Sequence, residues 1–382
     1  MIDFTFTENQ KMLRGFVKEF TDSEIRPLAK QIDENEYIPK QLIAKLGEVG
    51  LLGTYFPEEY GGGGFGEVGY CIAQEEVTRA CGSTATMIGA HQSIGTNAIY
   101  IGGSDELKRK YLPLLTSGEK IAAFALTEHE AGSDSFNLKT VAKKHGNKWI
   151  INGSKMWITN AGIADIFSVF ARTKSGITGF VVESGMPGVF IGPNEKKLGI
   201  KGSVTNSINF ENVEIPEENI IGTDGKGFLI AMATLDAGRL GLGAGCLGGS
   251  KEVLELSVKF SKQRKQFGEA ISKFQAIQFM LAEIETKIYA MESIVYRAAN
   301  NYDLGRNISN ESAIVKLFCS EAMLEIADKG IQIHGGMGFS RELPLERIYR
   351  DARILKIFEG TNEIQKLIIS RNTIKNNGKQ KT

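Results

Sequence analysis

The sequence predicts an α+β chain, mainly α, in which an N-terminal helical domain and a C-terminal helical bundle flank a middle antiparallel β domain. Apolar residues recur at spacings of three and four through residues 1–120. Short β-branched runs replace them over 121–226, and long helical periods return over 227–375. At 382 residues the chain exceeds most single cores, so two or three packed units are expected.

In the first unit Met12, Leu13, Phe16, Val17 and Phe20 repeat between charged residues as one helix face. A glycine-rich loop from Gly61 to Gly66 interrupts the helical pattern. The middle unit contains strand-like runs at Lys148 to Asn152, Ile166 to Ala171, Gly179 to Val182 and Ser207 to Phe210, divided by Gly and Asn turns. In the third unit the helical stretches are Lys251 to Lys262, Phe274 to Asn300 and Ser309 to His334. The polar tail, residues 376–382, reads as disordered.

Composition excludes several function classes. Forty-five basic and forty-five acidic side chains cancel without long charge blocks, which argues against nucleic acid or an anionic membrane as main partner. Cys71, Cys81, Cys246 and Cys319 are widely spaced, so neither a disulfide framework nor a zinc site is indicated. The start, Met1-Ile2-Asp3-Phe4, shows no basic region followed by an apolar run, and nowhere do eighteen apolar residues stand together. A soluble, cytoplasmic protein with no membrane span is expected.

Three stretches match GxGxxG, at Gly61 to Gly66, Gly64 to Gly69 and Gly243 to Gly248, but none follows a strand, so the dinucleotide fingerprint fails its context. The glycines at 241, 243, 245, 248 and 249 fit a small-residue face, against another element or a flat ligand. His91, His129, His145 and His334 have no metal-binding spacing, and no metal is expected. The lack of a GxSxG elbow leaves a nucleophilic triad unsupported.

Three segments carry candidate chemistry. The first, Ile357 to Lys366, sets Glu359 in a tight turn before Gly360, with Thr361 as N-cap of the next helix. Glu359 is thus a candidate base, although a charged surface turn fits the turn alone. The second, Phe124 to Asp134, ends an apolar run in a hydroxyl- and Gly-rich loop able to wrap a polar ring. In the third, Lys155 to Asn160, Trp157 and Thr159 stand two apart, so both can face one way from a strand; Trp157 by itself also fits a core position.

These segments resemble the acyl-CoA dehydrogenase family, flavoenzymes that introduce an α,β double bond into acyl-CoA thioesters. The loop signature fits except at Asn137, where the family carries Gly, Ser or Ala. A second signature, Gln332, Gly335, Gly336, Gly338, Phe339, Glu342, Arg347 and Asp351, fits throughout, and Arg264 to Gly268 with Phe274-Gln275 is in register between them. The resemblance covers Phe6 to Ile374 and implies FAD, an acyl-CoA substrate, an electron-transferring flavoprotein as acceptor and a homotetramer built as a pair of dimers. It places Phe124, Leu126, Thr127, Ser133, Trp157, Ile158 and Thr159 along the flavin. It gives Arg264, Phe267, Phe274 and Gln275 to the diphosphate and adenosine side. Gln332, Ile333, His334, Gly335 and Gly336 would reach FAD across the dimer, while Thr361 and Glu363 fall at further FAD positions. Ser133, Ser203, Asp236, Arg239 and Gly360 match substrate positions.

By the same resemblance Glu359 takes the α-proton as a β-hydride moves to flavin N5, giving a trans-2-enoyl-CoA. Its N–H and a ribityl hydroxyl would hold the thioester oxygen. Some relatives carry the base at the position of Gly238, which here has no side chain. Ala85 stands where glutaryl-type relatives carry an arginine, which disfavours a dicarboxylic substrate, and Gly89 and Gly95 fit an open acyl tunnel and close packing in the helix core equally well. An oxidase, an enoyl-CoA reductase and a non-catalytic assembly relative are the alternatives on this fold.

Overall fold

The computed structural model describes residues 5–378. It opens with helices α1 (Glu8–Phe20), α2 (Ala29–Asn35), α3 (Lys40–Glu48), α4 (Gly66–Ala80), α5 (Gly82–Gly89), α6 (Asn97–Gly102) and α7 (Asp105–Thr116). A capping box starts α1: Thr7 accepts from the Gln10 N–H while Gln10 accepts from the Thr7 N–H. Leu13 and Val17 are its core face, while Met12 and Phe16 remain exposed.

Between α5 and α6, Ala90–Thr96 is a π-helical stretch docked on the first strand. His91 ties it down, its Nε2 donating to the Leu115 carbonyl at 2.9 Å and its Nδ1 accepting from the Ala122 N–H at 2.9 Å. Burial pushes the His91 pKa down to about 4, keeping the ring in the neutral form this arrangement needs. Gly95 packs there too: a Cβ on it would lie 2.9 Å from the Ala122 Cβ, so this glycine serves packing on the strand.

The middle sheet comprises β1 (Ala122–Ala125), β2 (Val141–His145), β3 (Lys148–Thr159), β4 (Ile166–Arg172), β5 (Ile177–Glu183), β6 (Val189–Ile191), β7 (Thr205–Pro216) and β8 (Ile220–Ile221). The order is β6-β7-β3-β2-β4-β5-β8, with β1 beside β4. Neighbours are antiparallel except β1 with β4 and a single β2–β4 bridge, which are parallel. The long excursion between these strands supplies the crossover that parallel pairing requires.

The chain continues through α8 (Gly227–Gln263), a hairpin of β9 (Lys265–Gln266) and β10 (Glu269–Ala270), α9 (Gln275–Asp303), α10 (Ser309–His334), α11 (Gly336–Phe339), α12 (Leu345–Ile354) and α13 (Asn362–Gly378). Helix α13 therefore runs into the segment read as a disordered tail, because extending a docked helix costs far less than nucleating one. Residues 379–382 of that segment lie outside the described residues.

The first and last parts of the chain share one core, in which Ile72 and Val77 of α4 join Leu240 and Leu247 of α8, Ile288 of α9 and Ile326 of α10. The glycines of α8 make this possible. A Cβ on Gly248 would lie 1.9 Å from the Glu75 carbonyl, and one on Gly241 would lie 2.3 Å from the Tyr70 ring. One on Gly243 would lie 2.3 Å from Val315 of α10, so α8 is wedged between two helices at backbone distance. All four cysteines are buried and free. No described helix is long and apolar enough to cross a membrane.

Candidate active site

Helices α4, α5, α8 and α12, the ends of β1 and β3, and the turn before α13 surround a cavity of about 680 Å³. Glu359 stands in that turn with φ 55°, followed by Gly360 at φ 90°. A left-handed glutamate is costly, by about 1–3 kcal/mol, and persists only where its surroundings over-determine it. Here they do. Arg239 of α8 donates Nε to the Glu359 carbonyl at 3.1 Å, and Gln365 of α13 donates Nε2 to the Glu359 and Gly360 carbonyls at 3.3 and 3.0 Å. Thr361 caps α13 by accepting from the Ile364 N–H at 3.4 Å.

Among the described residues the Glu359 Oε2 atom has no hydrogen-bond partner. Glu359 is half-buried as a residue, yet its Oε2 is shut off from solvent without a hydrogen bond. Burial raises its pKa to about 7, against the opposing charges of Arg239 and Lys316. A carboxylate poised there is half-ionised near neutrality and more basic than an exposed glutamate. The carboxylate lies over Gly238: a Cβ at that position would sit 2.9 Å from Oε2 and 2.9 Å from Ile94 Cγ2. Among the described residues the Glu359 N–H has no acceptor.

The opposite wall comes from the sheet. Phe124, Leu126, Thr127 and Ser133 line it beside Trp157, Ile158 and Thr159. The strict alternation expected of β3 is broken by a register shift between Lys155 and Ile158, where Trp157 takes φ 60°. This bulge leaves the indole 56% exposed, and Trp157 and Thr159 still reach the same cavity. Lys155 fixes the loop behind them, donating to the Leu126 carbonyl at 3.0 Å and to Glu128 Oε1 at 2.7 Å. Burial pulls the Lys155 pKa down to about 8, partly offset by Glu128. Burial works against the Glu128 carboxylate too, yet Lys155 and the N–H groups of Lys139 and Thr140 hold it below the usual range. The pair stays charged at neutral pH.

The cavity thus gathers Phe124, Leu126, Thr127, Ser133, Trp157, Ile158, Thr159, Arg239, Glu359, Gly360 and Thr361 of the residues singled out in the sequence. Gly89 also faces it, whereas Gly95 does not. Asp236 meets the site indirectly, accepting from Arg239 at 2.7 Å and from Ser312 Oγ at 3.1 Å. Ser203 is buried outside the cavity lining, and among the described residues its hydroxyl has no hydrogen-bond partner.

Arg264, Phe267, Phe274, Gln275, Gln332, Ile333, His334, Gly335, Gly336 and Glu363 lie outside the cavity lining. Arg264, Gln275, Gln332, Gly335, Gly336 and Glu363 are exposed, and Phe267 is 95% exposed on the hairpin tip. Phe274 packs edge-on against Phe267, and His334 is buried beneath the helix end with its Nδ1 2.8 Å from the Gly330 carbonyl. Sequence reasoning missed Gln365 and Lys316. A buried Gln six residues after Glu359 was visible in the motif, but no period marks it as a clamp.

Family models for the acyl-CoA dehydrogenase N-terminal, middle and C-terminal domains match residues 7–119, 123–213 and 225–374. The chain belongs to the acyl-CoA dehydrogenase family. It is accordingly an oxidoreductase acting on CH–CH bonds. It is 42% identical to a short-chain specific acyl-CoA dehydrogenase of Clostridium acetobutylicum, over 97% of this chain and 99% of that protein. It is 40% identical to an acryloyl-CoA reductase (NADH) of Anaerotignum propionicum, over 98% and 96% of the two chains. Butyryl-CoA dehydrogenase from Megasphaera elsdenii superimposes with TM-score 0.96 at 38% identity, covering 98% of this chain and 100% of that one. An acyl-CoA dehydrogenase from Bacillus anthracis complexed with FAD gives 0.94 at 38% identity, covering 100% of this chain and 69% of that one.

Proposed function

We propose that this acyl-CoA dehydrogenase family member binds FAD and converts a straight-chain acyl-CoA into a trans-2-enoyl-CoA, with Glu359 as the base. The observation that carries this is the unpartnered Glu359 Oε2, buried across one cavity from the half-exposed Trp157 indole. The fit to a flat ring system rests on that wall: an aromatic face left open at a bulge, flanked by the Thr127, Ser133 and Thr159 hydroxyls. Phe124, Leu126, Thr127, Ser133, Trp157, Ile158, Thr159 and Thr361 would hold FAD, which supplies the two-electron acceptor when bound.

The chain's own residues account for the proton chemistry. A thioester Cα proton is removable only if the charge developing on the carbonyl oxygen meets a donor, and the free Glu359 N–H is available. The left-handed backbone lets one residue offer both that N–H and the carboxylate. Gly238 contributes by having no side chain, since any atom there would press on Oε2. Arg239 and Gln365 keep the turn fixed, and the apolar walls exclude water that would relieve the raised basicity.

Exchanging Glu359→Gln tests the reading. The variant should retain bound FAD and lose flavin bleaching by butyryl-CoA by about 10²- to 10⁴-fold, the usual contribution of a positioned base. Normal bleaching in the variant sinks the assignment.

The short-chain and butyryl relatives support short acyl chains, and bleaching rates from butyryl- to palmitoyl-CoA would rank them. A second reading, reduction of an enoyl-CoA, is favoured by the acryloyl-CoA reductase relative. Oxygen consumption with and without an electron-transferring flavoprotein separates dehydrogenase, oxidase and complex-bound reductase. The exposed Gln332, Gly335 and Gly336 support the further expectation of a homotetramer in which these residues meet FAD across the dimer, with the exposed Phe267 on the diphosphate and adenosine side.

A further inference from the structure

Lys316 of α10 is fully buried, an unusual place for an ammonium. Its Nζ donates to Asn362 Oδ1 at 2.8 Å. Asn362, itself buried, is the first residue of α13 and follows the Glu359 turn by three positions. The amide is braced by α10 in turn, donating Nδ2 to Ser320 Oγ at 3.1 Å and to Glu321 Oε1 at 3.3 Å. The helix start that sets the base is thus bolted to α10 through one lysine and one asparagine.

A helix N-terminus repels a cation, and a neutral hydrogen-bonding residue would serve Asn362 as well without the desolvation cost. The bolt alone therefore does not explain a lysine. The compensating charge does: Glu359 is the leading attraction that keeps Lys316 protonated against burial, with Glu363 adding a smaller one and Arg239 opposing, while the Cys246 thiol, pushed up to about 12 by burial, stays neutral.

The carboxylate sees the reciprocal field. The charged and titratable groups within electrostatic reach of Glu359 are Arg239 and Cys246 on α8, Lys316 on α10, and Glu67 and Tyr70 on α4. Of these only Arg239 and Lys316 are cations, and Arg239 spends its Nε on the Glu359 carbonyl rather than the carboxylate. A base needs enough positive field to ionise at neutral pH while its lone pairs stay open to the Cα proton. A direct hydrogen bond to the oxygen would supply the field and block the lone pair.

Resting on the reading of Glu359 as the base, we infer that Lys316 is a positioning residue of the reaction. Its ammonium, held behind the turn through Asn362, keeps the Glu359 carboxylate charged through space and leaves Oε2 open. Arg239 fixes where the base stands, and Lys316 sets when it is ionised.

The test is the Glu359 titration in Lys316→Gln, which retains a donor for Asn362 and loses the charge. Infrared difference spectra of the flavin-loaded protein against Glu359→Gln isolate the carboxylate band and follow it with pH. The midpoint should rise by about one pH unit or more, and the acid limb of flavin bleaching by butyryl-CoA should move with it. Bleaching at pH 6 then falls about tenfold while the alkaline plateau holds.

Lys316→Met covers the case of a misfolded glutamine variant, since it keeps the length of the stem, loses the charge and leaves Asn362 Oδ1 accepting from Ser320 Oγ; the same upward shift is expected. An unmoved midpoint in whichever variant folds, with only the melting temperature lowered, overturns the inference. The infrared midpoint moves even if no acyl-CoA bleaches the flavin, so failure of the proposed reaction is distinguishable from failure of this role.

Discussion

The Glu359 turn and the β9–β10 hairpin with the end of α10 are both motif-bearing, and one chain treats them in opposite ways. At the turn the Glu359 and Gly360 carbonyls have intrachain partners, from Arg239 and Gln365, and the carboxylate faces an enclosed space. At the hairpin Phe267 stands 95% exposed with φ 52°, and Gln332, Gly335 and Gly336 lie open beyond the cavity. The contrast separates a carboxylate turn clamped by its own chain from a hairpin whose Phe267 ring meets that chain edge-on at Phe274 and otherwise stands open.

The largest effect after loss of the base itself is expected from Gly238→Val. Its Cβ would meet both Oε2 and Ile94 at 2.9 Å, displacing the carboxylate. Bleaching by butyryl-CoA should fall by about 10²-fold, as a misplacement of about 1 Å typically costs, with FAD still bound. A variant that bleaches at the normal rate would show that the turn is less closed than its geometry indicates.

Gln365→Ala comes next. It leaves the Gly360 carbonyl of a strained turn without its partner and the Glu359 carbonyl held by Arg239 alone, and should cost about 1–3 kcal/mol in thermal unfolding, with a lowered kcat. Equal loss of stability without any change in kcat would reduce Gln365 to a structural tie.

The pH dependence of stability follows from the raised Glu359 pKa. Folding favours the protonated form, so the group's contribution is fullest below its unfolded value of about 4.3 and is lost as pH rises through about 7. Glu359→Gln should flatten stability between those limits in urea titrations, and an unchanged slope would mean the carboxylate is not desolvated.

Phe267→Ala should have the smallest effect on unfolding, within about 0.5 kcal/mol, because the ring touches little of its own chain. Sedimentation and FAD retention should respond instead if the hairpin pairs across subunits. Loss of monomer stability with assembly intact would put the two loci on the same footing.

Much of this was legible in the residues. Periodicity located the change from helix to strand and back because burial of one face imposes 3.6 or 2 on the pattern. Glu359-Gly360 stood out because a carboxylate beside a glycine at a helix start is chemically conspicuous. The glycines of α8 were recognised as a face without a partner being assignable, since nothing local marks α4 and α10 as its neighbours. That Trp157 and Thr159 share a side was legible in their spacing, whereas the bulge that opens the indole was not, because a bulge depends on pairing with β7. The tail was read from polarity alone, which does not reveal that α13 is already docked by Gln365 and Asn362.

The sequence by itself determined the order of helical and sheet parts, the family and the identity of the candidate base, since each depends on residue type and spacing along the chain. Only the tertiary structure decided that two helical parts form one core, that Gly238 underlies the carboxylate, and that Lys316 lies buried behind the turn. Those facts depend on contacts between residues far apart in sequence, and the environment that sets a pKa or holds a strained turn exists only once they are made.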